Sequence, residues 1–142
     1  ESRPASLRGH AVICYFDVDE FKSVNDTFGH GVGDAVLAEV GSTIYAVFSK
    51  VGYCYRIGGD EFCVIAQISD TAAEKYLSEL LRELTARRVK NEHLPHVSVG
   101  YACFNPVLGS VEDAIKRADR MMYHYKRKLK SEALTNDDTV KS

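Results

Sequence analysis

Two glycines followed by two acids, Gly58-Gly59-Asp60-Glu61, lie between two apolar runs at residues 51–57 and 62–65. This pattern predicts a hairpin, because glycine adopts positive φ angles without a Cβ penalty. Adjacent carboxylates on a tight turn repel each other unless a cation neutralises them. Mg²⁺ suits such a place, since it binds few protein carboxylates and keeps room for phosphate. A plain solvated turn is the alternative interpretation of these four residues.

Composition indicates one globular domain with no general affinity for nucleic acid. The 142 residues are 45% hydrophobic and 27% charged, and the net charge is −2, whereas nucleic-acid binders are normally basic. The longest apolar run, residues 11–16, is too short to span a bilayer, and we expect no direct membrane contact. No secretion leader opens the chain, so we expect a cytoplasmic location, including the cytosolic end of a membrane-anchored protein.

The cysteines point to the same compartment. None forms a C-x-x-C pair, and each lies in its own strand-like run, so we expect free thiols that pack as small hydrophobic groups. They are Cys14, Cys54, Cys63 and Cys103.

Hydrophobic periodicity predicts the order strand, helix, strand, strand, helix, strand and a last helix. We expect strands at residues 11–16, 51–57, 61–67 and 96–104. A short helical turn at 21–28 is followed by a flexible connection at 29–33, and a long helix begins at Asp34. A capping box, Thr71 to Glu74, opens the next helix, and Ser110 caps the last one.

This order is the split βαβ, or ferredoxin-like, pattern of an α/β (α+β) domain, with an extra C-terminal helix. The first two strands then run parallel, with the third between them and antiparallel to both. The end of the first strand, at Asp17, meets the tip of the hairpin, at Asp60 and Glu61. Converging acids predict a Mg²⁺ site that receives phosphate, and hence metal-dependent nucleotidyl transfer on a palm-type sheet.

Two motifs carry a family resemblance. Gly58-Gly59-Asp60-Glu61-Phe62 resembles the signature of GGDEF domains, the diguanylate cyclases. Asp17-Val18-Asp19-Glu20-Phe21-Lys22-Ser23-Val24-Asn25-Asp26, followed by Gly29-His30 and Gly33-Asp34, is similar to that family's other long motif at matching spacing. The resemblance runs from about residue 11 to residue 130 and implies a nucleotide-cyclase-like fold.

The resemblance implies a signalling enzyme that joins two GTP into the bacterial second messenger cyclic di-GMP and releases two pyrophosphates. Each subunit of a homodimer would present one GTP to the other, with one or two Mg²⁺ per subunit, for which Mn²⁺ can substitute. It also implies an attached N-terminal sensor or membrane domain. The alternative is a non-catalytic module that binds GTP or dimerises to regulate a partner domain.

The resemblance also implies roles for individual residues. Asp17 and Asp60 would hold the metal through carboxylates, and Val18 through its carbonyl. Asp60 would be the base for the 3′-hydroxyl, with Glu61 supporting the site and Lys22 offsetting charge on the pentavalent phosphorus. The other substrate contacts would be Phe21 and Lys22 along the phosphates, Asn25 and Asp34 at the guanine edge, His30, and Lys126 and Lys130 at the triphosphate.

Some of these residues have simpler interpretations. Asp34 is also a good helix N-cap, and Asn25 is a common turn residue. Lys126 belongs to a basic run that could be a solvated helix face. Asp19 lies beside the site, and we expect it to support the site without binding the metal.

Three departures from the family pattern affect function. The Asp-x-Leu-Thr-Gly-Leu-x-Asn-Arg stretch that usually precedes the first strand is absent, so we interpret residues 1–131 as a GGDEF domain lacking that leader, with a polar tail at 132–142. Ser49 and Gly52 replace the Arg-x-x-Asp product-inhibition site. Leu129 and Lys130 replace the glycine and arginine of the closing motif, and lysine lacks the bidentate phosphate contact of arginine.

Overall fold

The computed structural model describes residues 10–107 and 109–124. Within these ranges, strands and helices alternate in an order close to the one the sequence predicts. The elements are β1 (Ala11–Val18), α1 (Phe21–Phe28), α2 (His30–Phe48), β2 (Gly52–Arg56), β3 (Glu61–Ala66), α3 (Asp70–Lys90) and β4 (Val97–Phe104), followed by α4 at 111–124.

The strands form one sheet in the order β2-β3-β1-β4. Each neighbouring pair is antiparallel, so β1 and β2 run parallel with β3 between them. This arrangement confirms the predicted α+β, ferredoxin-like sheet. It also brings the C-terminal end of β1 and the β2–β3 turn to the same edge.

Helices cover both faces of β1, which explains its continuous apolar sequence. Val12, Cys14 and Phe16 point into a cluster with α2 and α3. Ile13 and Tyr15, on the opposite face, pack in a second cluster with α4. The strand is therefore buried along nearly its whole length, and it continues two residues beyond the predicted end, through Asp17 to Val18.

Helix α2 carries the stripe that packs on the sheet. Val36, Val40, Ile44 and Phe48 are each at most 1% exposed, at the spacing expected of one helix face. By length and composition α2 is also the one helix of residues 10–107 and 109–124 that could cross a membrane. Its buried stripe makes it the core helix of this domain.

The predicted start of α2 is wrong by one turn. The helix begins at His30, so residues 30–33 are helical and do not form a flexible connection, and Asp34 is not its N-cap. The chain instead breaks at Gly29, whose φ of 91° separates α1 from α2. Two glycines early in a helix usually indicate a loop, and here that signal is misleading.

The predicted capping box of α3 is also displaced. The N-cap is Ser69, whose hydroxyl accepts a hydrogen bond from the Ala72 amide at 3.1 Å. Thr71 and Glu74 lie inside the helix. Ser110 does cap α4, since its hydroxyl accepts from the Asp113 amide at 3.3 Å.

The cysteines are free, as predicted, and each lies in a different strand. Cys14 and Cys63 are buried and Cys54 is half-buried. Cys103 is exposed, so the prediction that it packs in the core is wrong.

Two glycines of α2 should respond in opposite ways to alanine. A Cβ at Gly31 meets nothing within 4 Å, whereas one at Gly33 would lie 1.8 Å from Asn25 Oδ1. We expect Gly31→Ala to raise the free energy of unfolding by roughly 0.5 kcal/mol through helix propensity. Gly33→Ala should lower it by about 1–3 kcal/mol through overpacking. Urea denaturation of both variants measures the contrast, and equal stabilisation by both would contradict this packing.

Candidate active site

The end of β1 and the β2–β3 turn meet through the main chain. Asp17 lies opposite Glu61 in the antiparallel pairing, and the Val18 amide donates to the Asp60 carbonyl at 3.1 Å. The acids of the two sequence motifs, more than 40 residues apart, therefore lie side by side. The convergence inferred from topology is present in the structure.

The carboxylates of Asp17 and Asp60 contact each other. Burial raises the pKa of the Asp60 carboxyl, and the negative charge of Asp17, the hydrogen bond between the two side chains and the charge of Glu61 raise it further. A main-chain hydrogen bond to Asp60 opposes this shift. Two acids held this close form a stable pair only if a proton or a cation lies between them.

This donor set fits a divalent cation that phosphate completes. No group of three or more His, Cys, Asp or Glu side chains is arranged for a metal within the described part of the chain. Two carboxylates and a nearby main-chain carbonyl such as that of Val18 are few ligands for Ca²⁺. They match Mg²⁺, which is usually held by one or two carboxylates together with substrate phosphates.

Glu61 is hydrogen-bonded by a residue that the sequence analysis did not single out. The hydroxyl of Tyr15 donates to Glu61 Oε2. Burial and this hydrogen bond both raise the pKa of the Tyr15 phenol. The available signal was a hydroxyl-bearing side chain in an otherwise apolar run, two residues before Asp17 and thus on the same face.

The Gly-Gly turn is not held by the conformation that predicted it. Neither Gly58 nor Gly59 has a positive φ. The Arg56 side chain instead closes the turn, with Nε donating to the Gly58 carbonyl at 3.2 Å and a terminal guanidinium nitrogen donating to that of Gly59 at 2.7 Å. A Cβ at Gly59 would meet nothing within 4 Å, so the main chain there is open to a ligand.

Helix α1 begins beside the acids. Glu20, its N-cap, adopts a left-handed conformation with φ of 54° and makes no side-chain cap. This sharp turn places Phe21 and Lys22 in the first turn of the helix, directly after Glu20. Uncapped amides at a helix N-terminus favour an anion such as phosphate.

Asn25 and the start of α2 form a second polar site. Asn25 Oδ1 is buried and has no hydrogen-bond partner. The amide packs on the main chain of Gly33, where a Cβ would lie 1.8 Å away, and Asp34 is the next residue. Asp34 is exposed, as is His30 at the first position of α2. The structure therefore places the Asn25 side chain against the turn of α2 that carries Asp34.

A cavity of about 470 Å³ adjoins Asp34, between α2 and the β2–β3 hairpin. Sequence reasoning missed it, because its walls come from separate elements. Its lining residues are Asp34, Leu37, Ala38, Gly41, Arg56 and Phe62.

The remaining predicted residues divide into two groups. Asp19 is anchored to β4, because the Ser98 hydroxyl donates to its carboxylate at 2.7 and 2.9 Å and the His96 carbonyl accepts from its amide. These bonds hold the bend after β1 against β4, and the expectation that Asp19 does not bind the metal stays a prediction. Lys126 and Lys130 lie outside the described residues, so their predicted contacts with the triphosphate stay predictions.

Comparison with known proteins gives one consistent answer. The family model described as "Diguanylate cyclase, GGDEF domain" matches residues 2–132. The chain is 30% identical over 129 residues to a diguanylate cyclase of Vibrio cholerae, covering 89% of this chain and 40% of that protein. It is 34% identical over 122 residues to the probable diguanylate cyclase DgcC of Escherichia coli, covering 82% and 32%.

A solved structure agrees with these matches. The GGDEF domain of DgcB from Caulobacter crescentus, determined in complex with c-di-GMP, superimposes with a TM-score of 0.74 at 32% identity, over 84% of this chain and 73% of that one. The chain spans 40% and 32% of the lengths of these two curated relatives.

The contact between Asp17 and Asp60 should cost stability when no cation is present. Because the pKa of Asp60 is raised in the folded state, its proton stabilises the fold below the ordinary value of 3.8, and this contribution is lost as the pH rises through the folded-state pKa. We expect Asp60→Asn to raise the free energy of unfolding at pH 7 by about 1 kcal/mol, the usual scale of a stabilising substitution.

Urea denaturation in EDTA checks this expectation. The gain should disappear below pH 3.8, where the wild-type carboxyl is protonated as well. Glu79→Gln, which removes an exposed carboxylate from α3, serves as the control and should show no gain. A destabilised Asp60→Asn variant at pH 7 would show that the two acids do not oppose each other.

Proposed function

Because this chain belongs to the GGDEF family of diguanylate cyclases, we propose that it condenses two GTP into cyclic di-GMP, with release of two pyrophosphates, in a Mg²⁺-dependent reaction. The family match covers nearly the whole chain. The relatives that share this domain are longer. The activity, its control and its partners are therefore all parts of the proposal.

The observation that carries the proposal is the contact between the Asp17 and Asp60 carboxylates, next to an uncapped helix start. In this proposal Asp17, Asp60 and the Val18 carbonyl hold the ion. When bound, Mg²⁺ supplies charge that activates the attacking hydroxyl and stabilises the leaving pyrophosphate. Asp17 and Asp60 alone would repel, so a phosphate-bound cation is the ligand that their charge favours.

Asp60 is the proposed base for the 3′-hydroxyl. Glu61, hydrogen-bonded to Tyr15, supports the site from the neighbouring position. Lys22, exposed in the first turn of α1, offsets negative charge on the reacting phosphorus, and the amides of that turn bind the phosphates beside Phe21. Lys126 and Lys130 are proposed to bind the triphosphate.

Asn25 and Asp34 are proposed to select guanine. A carboxylate can accept from N1–H and the 2-amino group of guanine, which adenine lacks. The half-buried Asn25 side chain, one turn of α2 away, adds an amide that can both donate to and accept from a purine edge. His30, exposed at the start of α2, completes the substrate side.

The proposal includes a second copy of this domain. Condensing two GTP across two identical sites needs two subunits, each presenting one nucleotide to the other. We propose a homodimer, brought together by an attached N-terminal sensor or membrane domain, with this region of the protein in the cytoplasm.

The full-length protein incubated with GTP and Mg²⁺ should form cyclic di-GMP, detected by chromatography. We expect Asp17→Asn and Asp60→Asn each to lower the rate roughly 100-fold or more, because each substitution removes one of the two carboxylates proposed to hold the ion. Glu79→Gln on α3 is the control and should retain the wild-type rate. Circular dichroism should be unchanged in all three variants.

Two results of this experiment would overturn the proposal in different ways. Retained turnover in both aspartate variants would remove the metal site from the mechanism. GTP binding by the wild-type protein without product would favour the non-catalytic module.

Feedback inhibition through the usual Arg-x-x-Asp positions should be absent. Ser49 and Gly52 stand there, and a Cβ at Gly52 would lie 2.5 Å from the Ile65 carbonyl oxygen and 2.8 Å from the Ala66 Cβ. We expect initial rates to be insensitive to added cyclic di-GMP by this route. The variant carrying Ser49→Arg and Gly52→Asp should gain no inhibition and should unfold more easily, by about 1–3 kcal/mol. Potent inhibition in the wild type that Ser49→Ala abolishes would contradict this expectation.

A further inference from the structure

Ser98 carries a fully buried hydroxyl that bonds to the segment before α1. Its side chain is 0% exposed, and it lies opposite Asp17 in the pairing of β4 with β1. The hydroxyl donates to the Asp19 carboxylate, at 2.7 and 2.9 Å from the two oxygens. Thr43, the other buried serine or threonine of the described residues, donates to the Glu39 carbonyl within its own helix. Of these two hydroxyls, only that of Ser98 joins separate elements.

Asp19 immediately precedes the left-handed turn at Glu20. With a φ of 54°, Glu20 is the one residue other than glycine in the described part of the chain that has a positive φ. Such a conformation persists only where the surrounding structure holds it. The Asp19 amide donates to the His96 carbonyl at 2.9 Å, and its carboxylate accepts from Ser98. Both the main chain and the side chain of Asp19 are therefore tied to β4 directly before the turn.

Helix α1, which follows the turn, has little else to fix its direction. It is eight residues long, Val24 is its one buried residue, and no side chain caps its N-terminus. Helices this short are marginal on their own. At its other end the chain bends at Gly29, where φ is 91°. The direction of α1 therefore depends on the anchored segment that precedes it.

The same helix carries three of the proposed substrate contacts. Phe21 and Lys22 lie in its first turn, and Asn25 lies one turn further along. The proposed carboxylate ligands of the metal, Asp17 and Asp60, lie outside the helix, on β1 and in the β2–β3 turn. A change in the direction of α1 would thus affect the nucleotide and leave the metal ligands in place.

We infer that Ser98 is a positioning residue for the nucleotide, because through Asp19 it fixes the turn at Glu20 and with it the substrate contacts of α1. The inference rests on the proposed function, since it assigns to Ser98 an effect on GTP binding. Ser98 is fully buried, so it acts without contacting the nucleotide.

Binding of 3′-deoxy-GTP and Mg²⁺ to the full-length protein, measured by isothermal titration calorimetry, tests this inference without turnover, because this nucleotide lacks the attacking hydroxyl. We expect Ser98→Ala to weaken binding about three- to tenfold, the scale of one hydrogen bond to a charged group. Asp19→Ala should weaken it at least as much. Adding Ser98→Ala to Asp19→Ala should change the affinity by less than about twofold, because Ser98 acts through Asp19.

Two further measurements separate positioning from a general loss of stability. Binding of Mn²⁺ without nucleotide, followed by electron paramagnetic resonance, should stay within about twofold of the wild-type value in Ser98→Ala. Amide hydrogen exchange should become faster in α1 and stay at the wild-type rate in α3. Thr43→Val is the matched control, since it removes the other buried hydroxyl. It should change neither nucleotide affinity nor exchange in α1.

The outcomes separate this inference from the proposed function. Wild-type affinity for 3′-deoxy-GTP in Ser98→Ala overturns the inference and leaves the cyclase proposal intact. Equal losses of nucleotide and Mn²⁺ affinity also overturn it, because Ser98 would then act on the metal site through Asp17, its neighbour across the strands. If the wild-type protein does not bind 3′-deoxy-GTP, the proposed function itself is wrong, and the inference falls with it.

Discussion

The antiparallel pairing of β1 with β3 is the constraint on which the rest of this structure depends. It aligns Asp17 with Glu61 and brings the Val18 amide to the Asp60 carbonyl. A slip of one residue in this register would turn the side chains of one strand to the opposite face of the sheet. The buried residues on both faces of β1 prevent that slip, so core packing and site geometry have one common cause.

Several features of the candidate site lower the free energy of unfolding that this core provides. Two carboxylates in contact, an unsatisfied amide oxygen at Asn25 and a left-handed Glu20 each cost folding free energy in the protein without ligand. All three lie within the first motif or against it. Such costs are typical of functional sites, where a ligand completes the missing interactions. In the proposed function, a cation would neutralise the carboxylates, a purine edge would lie at Asn25, and a phosphate would lie at the helix start after Glu20.

Much of this architecture followed from hydrophobic period and strand order alone. The sheet order and the meeting of Asp17 with Asp60 needed only the pattern of elements and the antiparallel rule. The start of α2 was wrong, because glycine usually interrupts helices, whereas Gly33 is kept by the close approach of Asn25. The roles of Arg56 and Tyr15 depend on where long side chains end in space, and spacing along one chain carries little information about that.

The tight contact of β2 with β3 at Gly52 also limits how this domain can change over time. Because a Cβ at this position would begin only 2.5 Å from the Ile65 carbonyl oxygen, any larger side chain here requires β2 and β3 to shift. A descendant lineage would first have to move β2 away from β3. A substitution that changes a single side chain at position 52 is therefore also a rearrangement of the hairpin, which makes this position resistant to change.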